Sequence, residues 1–104
     1  MQADIKAQIT LNGTRERPLC SGCRPVHRLI LKDGKEYLTT GVHQYLGQEY
    51  LRPNESLVGT ISFITPEAYP HCFSVGDMIP VLDGPVRVIG EAKVLEIYNE
   101  ILKK

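Results

Sequence analysis

The sequence predicts an all-β fold, a single small antiparallel β-barrel of six or seven strands that forms one domain over residues 1–104. Apolar and polar residues alternate with a period of two in several segments, as in strands that bury one face. Turn dipeptides separate these segments at short intervals, which is typical of barrels and sandwiches. The length of 104 residues and the 42% hydrophobic content suffice for one core without disulfide staples.

Turn residues mark the ends of the predicted strands. Asn12-Gly13 ends the first strand, Asp33-Gly34 joins the second and third as a hairpin, and Asp83-Gly84-Pro85 joins the last two. Residues 41–50 have a mixed pattern and are interpreted as a loop or a short edge strand. The predicted strands lie near residues 4–11, 26–32, 36–40, 57–65, 77–82 and 86–97.

The predicted core consists of apolar residues that share one face of these strands. The strand over residues 57–65 has apolar residues on both faces, so we expect it to be buried on both sides. Residues 94–102 also fit a helical spacing, but we interpret their first half as the end of the last strand. The residues assigned to the core are Ile5, Ile9, Leu29, Ile61, Phe63, Val88 and Val94.

The charge balance argues against a chain that binds bare nucleic acid. Twelve basic residues balance twelve acidic ones, whereas phosphate contacts usually require a basic excess. No apolar run is long enough to cross a bilayer, and residues 1–10 lack the pattern of a secretion signal. Three cysteines, an odd number, do not suit a secreted disulfide framework. We therefore expect a cytoplasmic protein that does not bind membranes.

Several segments, taken in order, are similar to the third, C-terminal β-barrel of elongation factor Tu. Residues 18–25 (Pro-Leu-Cys-Ser-Gly-Cys-Arg-Pro) resemble that family's proline, two aromatics and Asn-Gly-Tyr-Arg-Pro, with Cys20 and Cys23 where the family has aromatic residues. Residues 83–90 resemble its Glu-Gly-Gly-Arg-Thr-Val-Gly, and residues 93–96 match its closing Lys-Val-Leu-Glu. Further likenesses lie at residues 4–10, 51–55 and 61–66.

The resemblance implies a barrel without catalysis that contacts the T arm of aminoacyl-tRNA and packs against a GTPase domain. The chain has no G-x-x-x-x-G-K-[ST] phosphate loop, so it is not a GTPase by that mechanism. The expected function is a stand-alone, non-catalytic binding module whose partner is tRNA or a translation GTPase. The departures at Cys20, Cys23 and residues 69–78 bear on any tRNA contact of this kind.

Five residues are candidates for contact with a partner. Arg24 precedes Pro25, which favours an extended backbone, and its planar guanidinium suits phosphate or carboxylate groups. Tyrosine is enriched at binding hot spots, and two tyrosines fall in the mixed stretch. The alternative is that the arginines bridge strands and the tyrosines cover the barrel ends. The candidates are Arg24, Tyr45, Tyr50, Arg52 and Arg87.

Cysteine and histidine residues suggest one metal site. Cys20 and Cys23 have the Cys-x-x-Cys spacing of a zinc site, and His71 and Cys72 could supply two further ligands. Adjacent strand residues point to opposite faces, so His71 and Cys72 could bind together only from an irregular loop. The alternative is that the cysteines fill small core or turn volumes. We expect no bound metal or cofactor, and a small zinc-binding protein is the second alternative function.

No motif announces a catalytic constellation. His27, His43 and His71 are far apart in the sequence, and a lone Cys23–His27 pair is usually incidental. We therefore expect no enzyme activity. The neutral net charge favours a protein partner, whereas the resemblance adds tRNA. The first alternative function is a protein-binding inhibitor or immunity-type protein that uses the barrel as a docking surface.

Overall fold

Six antiparallel strands close into a barrel in the computed structural model, which describes residues 3–104. Around the barrel, the strands defined below follow the order β1, β6, β4, β3, β7 and β8, while β2 pairs with β5 in a separate two-stranded sheet. The all-β barrel that the sequence predicts is confirmed. The strands are β1 (Ile5–Leu11), β2 (Leu19–Cys20), β3 (Val26–Ile30), β4 (Glu36–Tyr45), β5 (Tyr50–Leu51), β6 (Ser56–Phe63), β7 (Met78–Asp83) and β8 (Arg87–Ile97), and 3-10 turns span Pro66–Ala68 and Glu100–Leu102.

The turns predicted from glycine dipeptides are confirmed. Gly34 joins the antiparallel neighbours β3 and β4 with a φ of 84°, and Gly84 joins β7 and β8 with a φ of 87°. Glycine adopts this left-handed region without the steric cost that other residues meet. The Asp33 carboxylate also accepts a hydrogen bond from the backbone N–H of Lys35, at 3.0 Å, inside the first of these turns.

The prediction that residues 41–50 form a loop or a short edge strand is wrong for the first half of that range. β4 continues without interruption to Tyr45 and pairs with β6 along Gly41–Tyr45. The inward-facing positions there are Gly41, His43 and Tyr45, and the first two do not produce an apolar alternation. Gly41 is needed because a Cβ atom would come within 2.9 Å of the His27 ring and 2.7 Å of Ile61.

The core lies inside the barrel, and six of its seven predicted residues are buried. Val88 is the exception, with 36% of its surface exposed, while Ile89 is 1% exposed. The register between β7 and β8 shifts beside Leu82, so that Leu82 pairs with Val88 and Val81 with Gly90. This bulge inserts one residue into β8 and reverses the inward and outward alternation. The assignment of Val88 to the core was therefore wrong.

The expectation that residues 57–65 are buried on both faces is also wrong in part. Leu57, Ile61 and Phe63 face the core, but the outward side chain of Ile64 is 57% exposed. The last strand matches its prediction, because β8 includes Val94 to Ile97 before a 3-10 turn follows. Within residues 3–104, no helix has the length and apolar character required to cross a membrane.

The loops divide between the two ends of the barrel. Leu11 pairs with Gly90, Thr10 with Ser56, and Tyr45 with Gly59, so the loops that follow or precede these positions meet at one end. This end comprises residues 12–25, 46–55 and 84–86 together with Arg87, and we call it the arginine end. The other end comprises residues 31–35, 64–77 and 98–104, where Phe73 forms a parallel bridge with Lys103.

Candidate functional site

The arginine end concentrates one type of charged side chain. Five of the six arginines in the sequence lie there, whereas all six lysines lie elsewhere. The guanidinium group recognises carboxylate and phosphate through a planar fork, which the lysine ammonium lacks. The five arginines are Arg15, Arg17, Arg24, Arg52 and Arg87.

Two of these arginines stabilise the loops. Arg15 forms an ion pair with Asp83 at 2.9 Å, and Arg87 lies 3.8 Å from the same carboxylate. Arg87 also donates a hydrogen bond to the backbone oxygen of Thr14 at 2.6 Å. Asp83 therefore links the β7–β8 turn to the β1–β2 loop. Arg87, a predicted contact residue, is half exposed and already serves this internal network.

Arg24 is exposed, and the backbone on both sides of it is fixed. The backbone N–H of His43 donates to the Cys23 oxygen at 2.9 Å, and that of Gly41 donates to the Pro25 oxygen at 3.2 Å. Among residues 3–104, none forms an ion pair or a side-chain hydrogen bond with Arg24. A fixed backbone with an uncommitted guanidinium is the arrangement expected of a recognition residue.

The other predicted contact residues have different surroundings. Tyr50 is 45% exposed on β5, opposite Cys20, and Arg52, the residue after β5, is also exposed. Tyr45 is only 7% exposed because it lies at the end of β4 with its ring turned inward. Tyr45 therefore offers a partner almost no accessible surface. The structure brings Arg24, Tyr50, Arg52 and Arg87 to the same end of the barrel.

A buried chain of polar side chains runs from the core to the arginine end. The Nε2 atoms of His27 and His43 lie 2.8 Å apart. Nδ1 of His43 lies 3.1 Å from the hydroxyl of Tyr45, which in turn lies 3.5 Å from the sulfur of Cys23. Both histidines are 0% exposed. Nδ1 of His27 makes no hydrogen bond of good geometry within the described chain.

Burial keeps every member of this chain uncharged at neutral pH. Burial lowers the pKa of His27 to about 4, an effect that the backbone of Thr39 only partly offsets. Burial, together with the neighbouring His27, holds the pKa of His43 well below its usual value. Burial also raises the pKa of the Cys23 thiol. A thiol attacks as its thiolate, so this arrangement does not produce an activated nucleophile.

The cysteine and histidine residues of the hypothetical zinc site lie at opposite ends of the barrel. Cys20 and Cys23 belong to the arginine end, whereas His71 and Cys72 lie in the loop before β7. Nδ1 of His71 is 2.7 Å from the backbone oxygen of Lys103. Across residues 3–104, no three His, Cys, Asp or Glu side chains are grouped closely enough to hold a metal ion. The two pairs therefore do not converge.

An exposed apolar surface adjoins the arginine end. A groove of about 350 Å³ on the outer face of β3 and β4 is lined by Val26, Leu38, Ile64 and Pro85, among others. Leu38 is 44% exposed and Ile64 57% exposed. Val86, the residue after Pro85, is 80% exposed. We call Val26, Leu38, Ile64, Pro85 and Val86 the apolar patch, and its last two residues lie in a loop of the arginine end.

Reasoning from the sequence missed the buried chain of polar side chains and the apolar patch. His27 and His43 would have been expected to meet if β4 had been extended to Tyr45, because both face inward on neighbouring strands. Leu38 and Ile64 carried a signal, since Leu38 lies at an outward position of β4 and Ile64 directly follows the inward-facing Phe63 at the end of β6. No known protein family matches the chain, and no curated protein shows significant similarity to it.

Proposed function

We propose that this protein is a non-catalytic binding module that docks on another protein through its arginine end and the adjoining apolar patch. The observation that carries the proposal is the contact between these two surfaces at Gly84–Val86. This turn belongs to the arginine end, and Pro85 lines the apolar groove. Protein interfaces combine an apolar centre with a polar rim, and arginine is enriched in them.

The apolar patch favours a protein over RNA as the partner. Leu38, Ile64 and Val86 each expose more than two fifths of their surface. Apolar side chains such as these do not form favourable contacts with the phosphate groups of RNA. The net charge of zero points the same way, because RNA affinity rests largely on phosphate neutralisation. The resemblance to the elongation factor Tu barrel supports a translation GTPase as the class of partner. Such a partner would place the protein in the cytoplasm. A protein target of an inhibitor would present the same surface chemistry.

A tRNA partner is the second candidate, and the five arginines of one end favour it. The guanidinium groups of arginine bind phosphate as well as carboxylate. The elongation factor Tu barrel, which the sequence resembles, contacts the T arm of aminoacyl-tRNA. Four acidic residues lie among these arginines, however, and Asp83 engages two of them. Three of these acidic residues belong to the arginine end and the fourth, Asp83, is the last residue of β7; the three are Glu16, Glu49 and Glu55.

We propose no catalytic role for the buried polar chain formed by Cys23, Tyr45, His43 and His27. The buried polar chain links the Cys23 thiol to two imidazoles through the Tyr45 hydroxyl, and this thiol stays protonated because burial raises its pKa. The histidines are not arranged as a base for a substrate, because both rings are completely buried.

The proposal is tested by affinity capture from the protein's own cell extract, with and without RNase. Wild-type protein is compared with Leu38→Asp and with Lys35→Ala, a control at an 80% exposed lysine on the opposite end. We expect one protein to be recovered in stoichiometric amount, without sensitivity to RNase, by wild type and by Lys35→Ala. Leu38→Asp should lose it. Recovery of tRNA that RNase abolishes would favour the second candidate, and equal recovery by Leu38→Asp would refute the docking surface.

A further inference from the structure

The barrel is closed at one side by a very short pairing. β3 and β7 are neighbours, yet they pair only at Val26 with Leu82 and at His27 with Val81. β3 continues to Ile30, and β7 begins as early as Met78. The two strands therefore diverge toward the end opposite the arginine end. We call the opening between residues 28–32 and 78–80 the seam.

The hydrogen-bonding pattern shows which main-chain groups of β3 face the seam. Leu31 donates its N–H to Lys35 at 2.9 Å, and Pro25 accepts from Gly41 at 3.2 Å, so the odd-numbered residues of β3 turn their N–H and C=O groups toward β4. Antiparallel pairs alternate strictly in this respect. The N–H and C=O groups of Arg28 and Ile30 consequently point into the seam.

The same reasoning applies to β7. The N–H of Val94 in β8 donates to the Asp77 oxygen at 2.9 Å, so Ile79, two residues on, also turns its main-chain groups toward β8. Met78 and Pro80 therefore face the seam. Proline has no N–H, and within sheets it occupies edges where no partner needs one. Its place at position 80 is that of an unpaired edge.

The seam contains a groove of about 700 Å³, within the range of roughly 300–1,000 Å³ that is usual for ligand pockets. Its floor is apolar and consists of Leu29, Phe73 and Ile79, each no more than 4% exposed. Ile30 and Met78 stand on opposite rims, 57% and 50% exposed. An apolar floor between two free strand edges fits an extended segment that alternates apolar and polar side chains.

The charges around the groove favour an acidic segment. Arg28, Lys32 and Lys104 line it, against Glu36 and Asp77. The Asp77 carboxylate accepts a hydrogen bond from the Ser74 N–H at 2.8 Å, and it keeps its charge because that donor is neutral. Three cations therefore face two carboxylates. The excess of one positive charge favours acidic side chains at the outward positions of an added strand.

We propose that the seam binds an extended, acidic segment of a partner protein, which adds a strand to the open edges of β3 and β7. This site is separate from the arginine end, and its existence does not depend on the function proposed for that end. Main-chain hydrogen bonds from Arg28, Ile30 and Met78 supply the pairing. The floor selects apolar side chains at alternate positions of the segment.

The test is an NMR titration with an acetylated and amidated peptide of the sequence Glu-Val-Thr-Val-Glu-Ile-Glu. We expect saturable shifts at the amides of Arg28, Ile30 and Met78, and weaker binding by about tenfold for the peptide with lysine in place of glutamate. Ile30→Pro and Ile30→Ala both lose the side chain, but only the first loses the edge N–H. Ile30→Pro should bind about fivefold more weakly than Ile30→Ala, as for one lost hydrogen bond.

Two further variants keep the test decisive. If Ile30→Pro does not fold, Met78→Pro is compared with Met78→Ala, since proline is tolerated as the first residue of a strand. Arg24→Ala should bind the peptide as wild type does, which separates this site from the arginine end. Absence of saturation up to about 1 mM peptide, equal binding by the proline and alanine variants, or shifts located elsewhere would overturn the proposal. So would concentration-dependent protection of the seam amides without peptide, which would show a second copy of the chain there.

Discussion

His27 and His43 face each other across β3 and β4, with their Nε2 atoms 2.8 Å apart and no exposed surface on either ring. A neutral pair shares one proton between the two nitrogens, whereas a doubly protonated pair would place two donors and two charges together. The barrel therefore holds both imidazoles neutral. Their protonation is coupled to folding, because only the unfolded chain exposes them to water.

This pair makes the stability of the protein depend on pH. The pKa of His27 is lowered from 6.5 to about 4, and that of His43 is lowered as well. The unfolded state therefore binds more protons between these pH values, so the free energy of unfolding falls as the pH falls from about 6.5 to about 4. The slope should be about 1.4 kcal/mol per pH unit for each histidine. Urea denaturation between pH 5 and 7.5 measures it.

The histidine pair is identified by comparing variants. Changing both His27 and His43 to Gln should remove the slope between pH 5 and 6.5, whatever it does to overall stability. His71→Gln, at an exposed histidine, should keep it. A slope that survives in the double variant would assign the pH dependence to other groups.

Asp4 should be among the most sensitive polar residues of the fold. Its carboxylate is buried and accepts hydrogen bonds from the Phe63 N–H at 2.6 Å and from the Asn99 side chain at 2.8 Å. Asp4→Ala leaves the Phe63 N–H buried without a partner, so we expect a loss of about 3 kcal/mol in the free energy of unfolding. Asp4→Asn, which keeps one acceptor, should lose less.

Thermal denaturation of the Asp4 variants is compared with that of Asp33→Ala. The Asp33 carboxylate accepts one hydrogen bond in the exposed β3–β4 turn, so its removal should cost about 1 kcal/mol or less. If Asp4→Ala and Asp33→Ala shift the melting temperature equally, the hydrogen bond from the Phe63 N–H to Asp4 does not stabilise the fold as predicted.

Gly90 lies where the backbones of β1 and β8 approach closely. A Cβ atom at this position would collide with the backbone oxygen of Thr10, and backbone atoms cannot move aside as a flexible side chain can. Gly90→Ala should destabilise the protein by about 1–3 kcal/mol. Gly13→Ala is the control, since its Cβ would meet only the Asn54 side chain at 3.4 Å. Equal melting temperatures for the two variants would contradict this packing.

The sequence predicts the barrel because alternation and glycine turns are local signals, and β1, β6 and β8 carry them clearly. It fails at Gly41–Tyr45, since inward positions filled by glycine and histidine do not look apolar. It also fails at Val88, because a bulge changes which residues face inward and depends on the pairing with β7. Arg24 was predicted from its neighbouring proline, and the structure shows it exposed on a fixed backbone. The seam could not be predicted, as it arises from the divergence of two strands that are distant in sequence.

Arg24 is the residue of the arginine end that is exposed on a fixed backbone, and its variants test the proposed function most directly. Binding of the partner recovered by affinity capture is titrated for wild type, Arg24→Ala and Arg24→Lys, and melting temperatures are measured alongside. We predict that Arg24→Ala weakens binding by about 1–3 kcal/mol with an unchanged melting temperature. Arg24→Lys should restore binding only in part, because the planar fork is lost. A sharply lower melting temperature of Arg24→Ala with intact binding would show that Arg24 stabilises the fold and does not contact the partner. The proposed site would then be wrong.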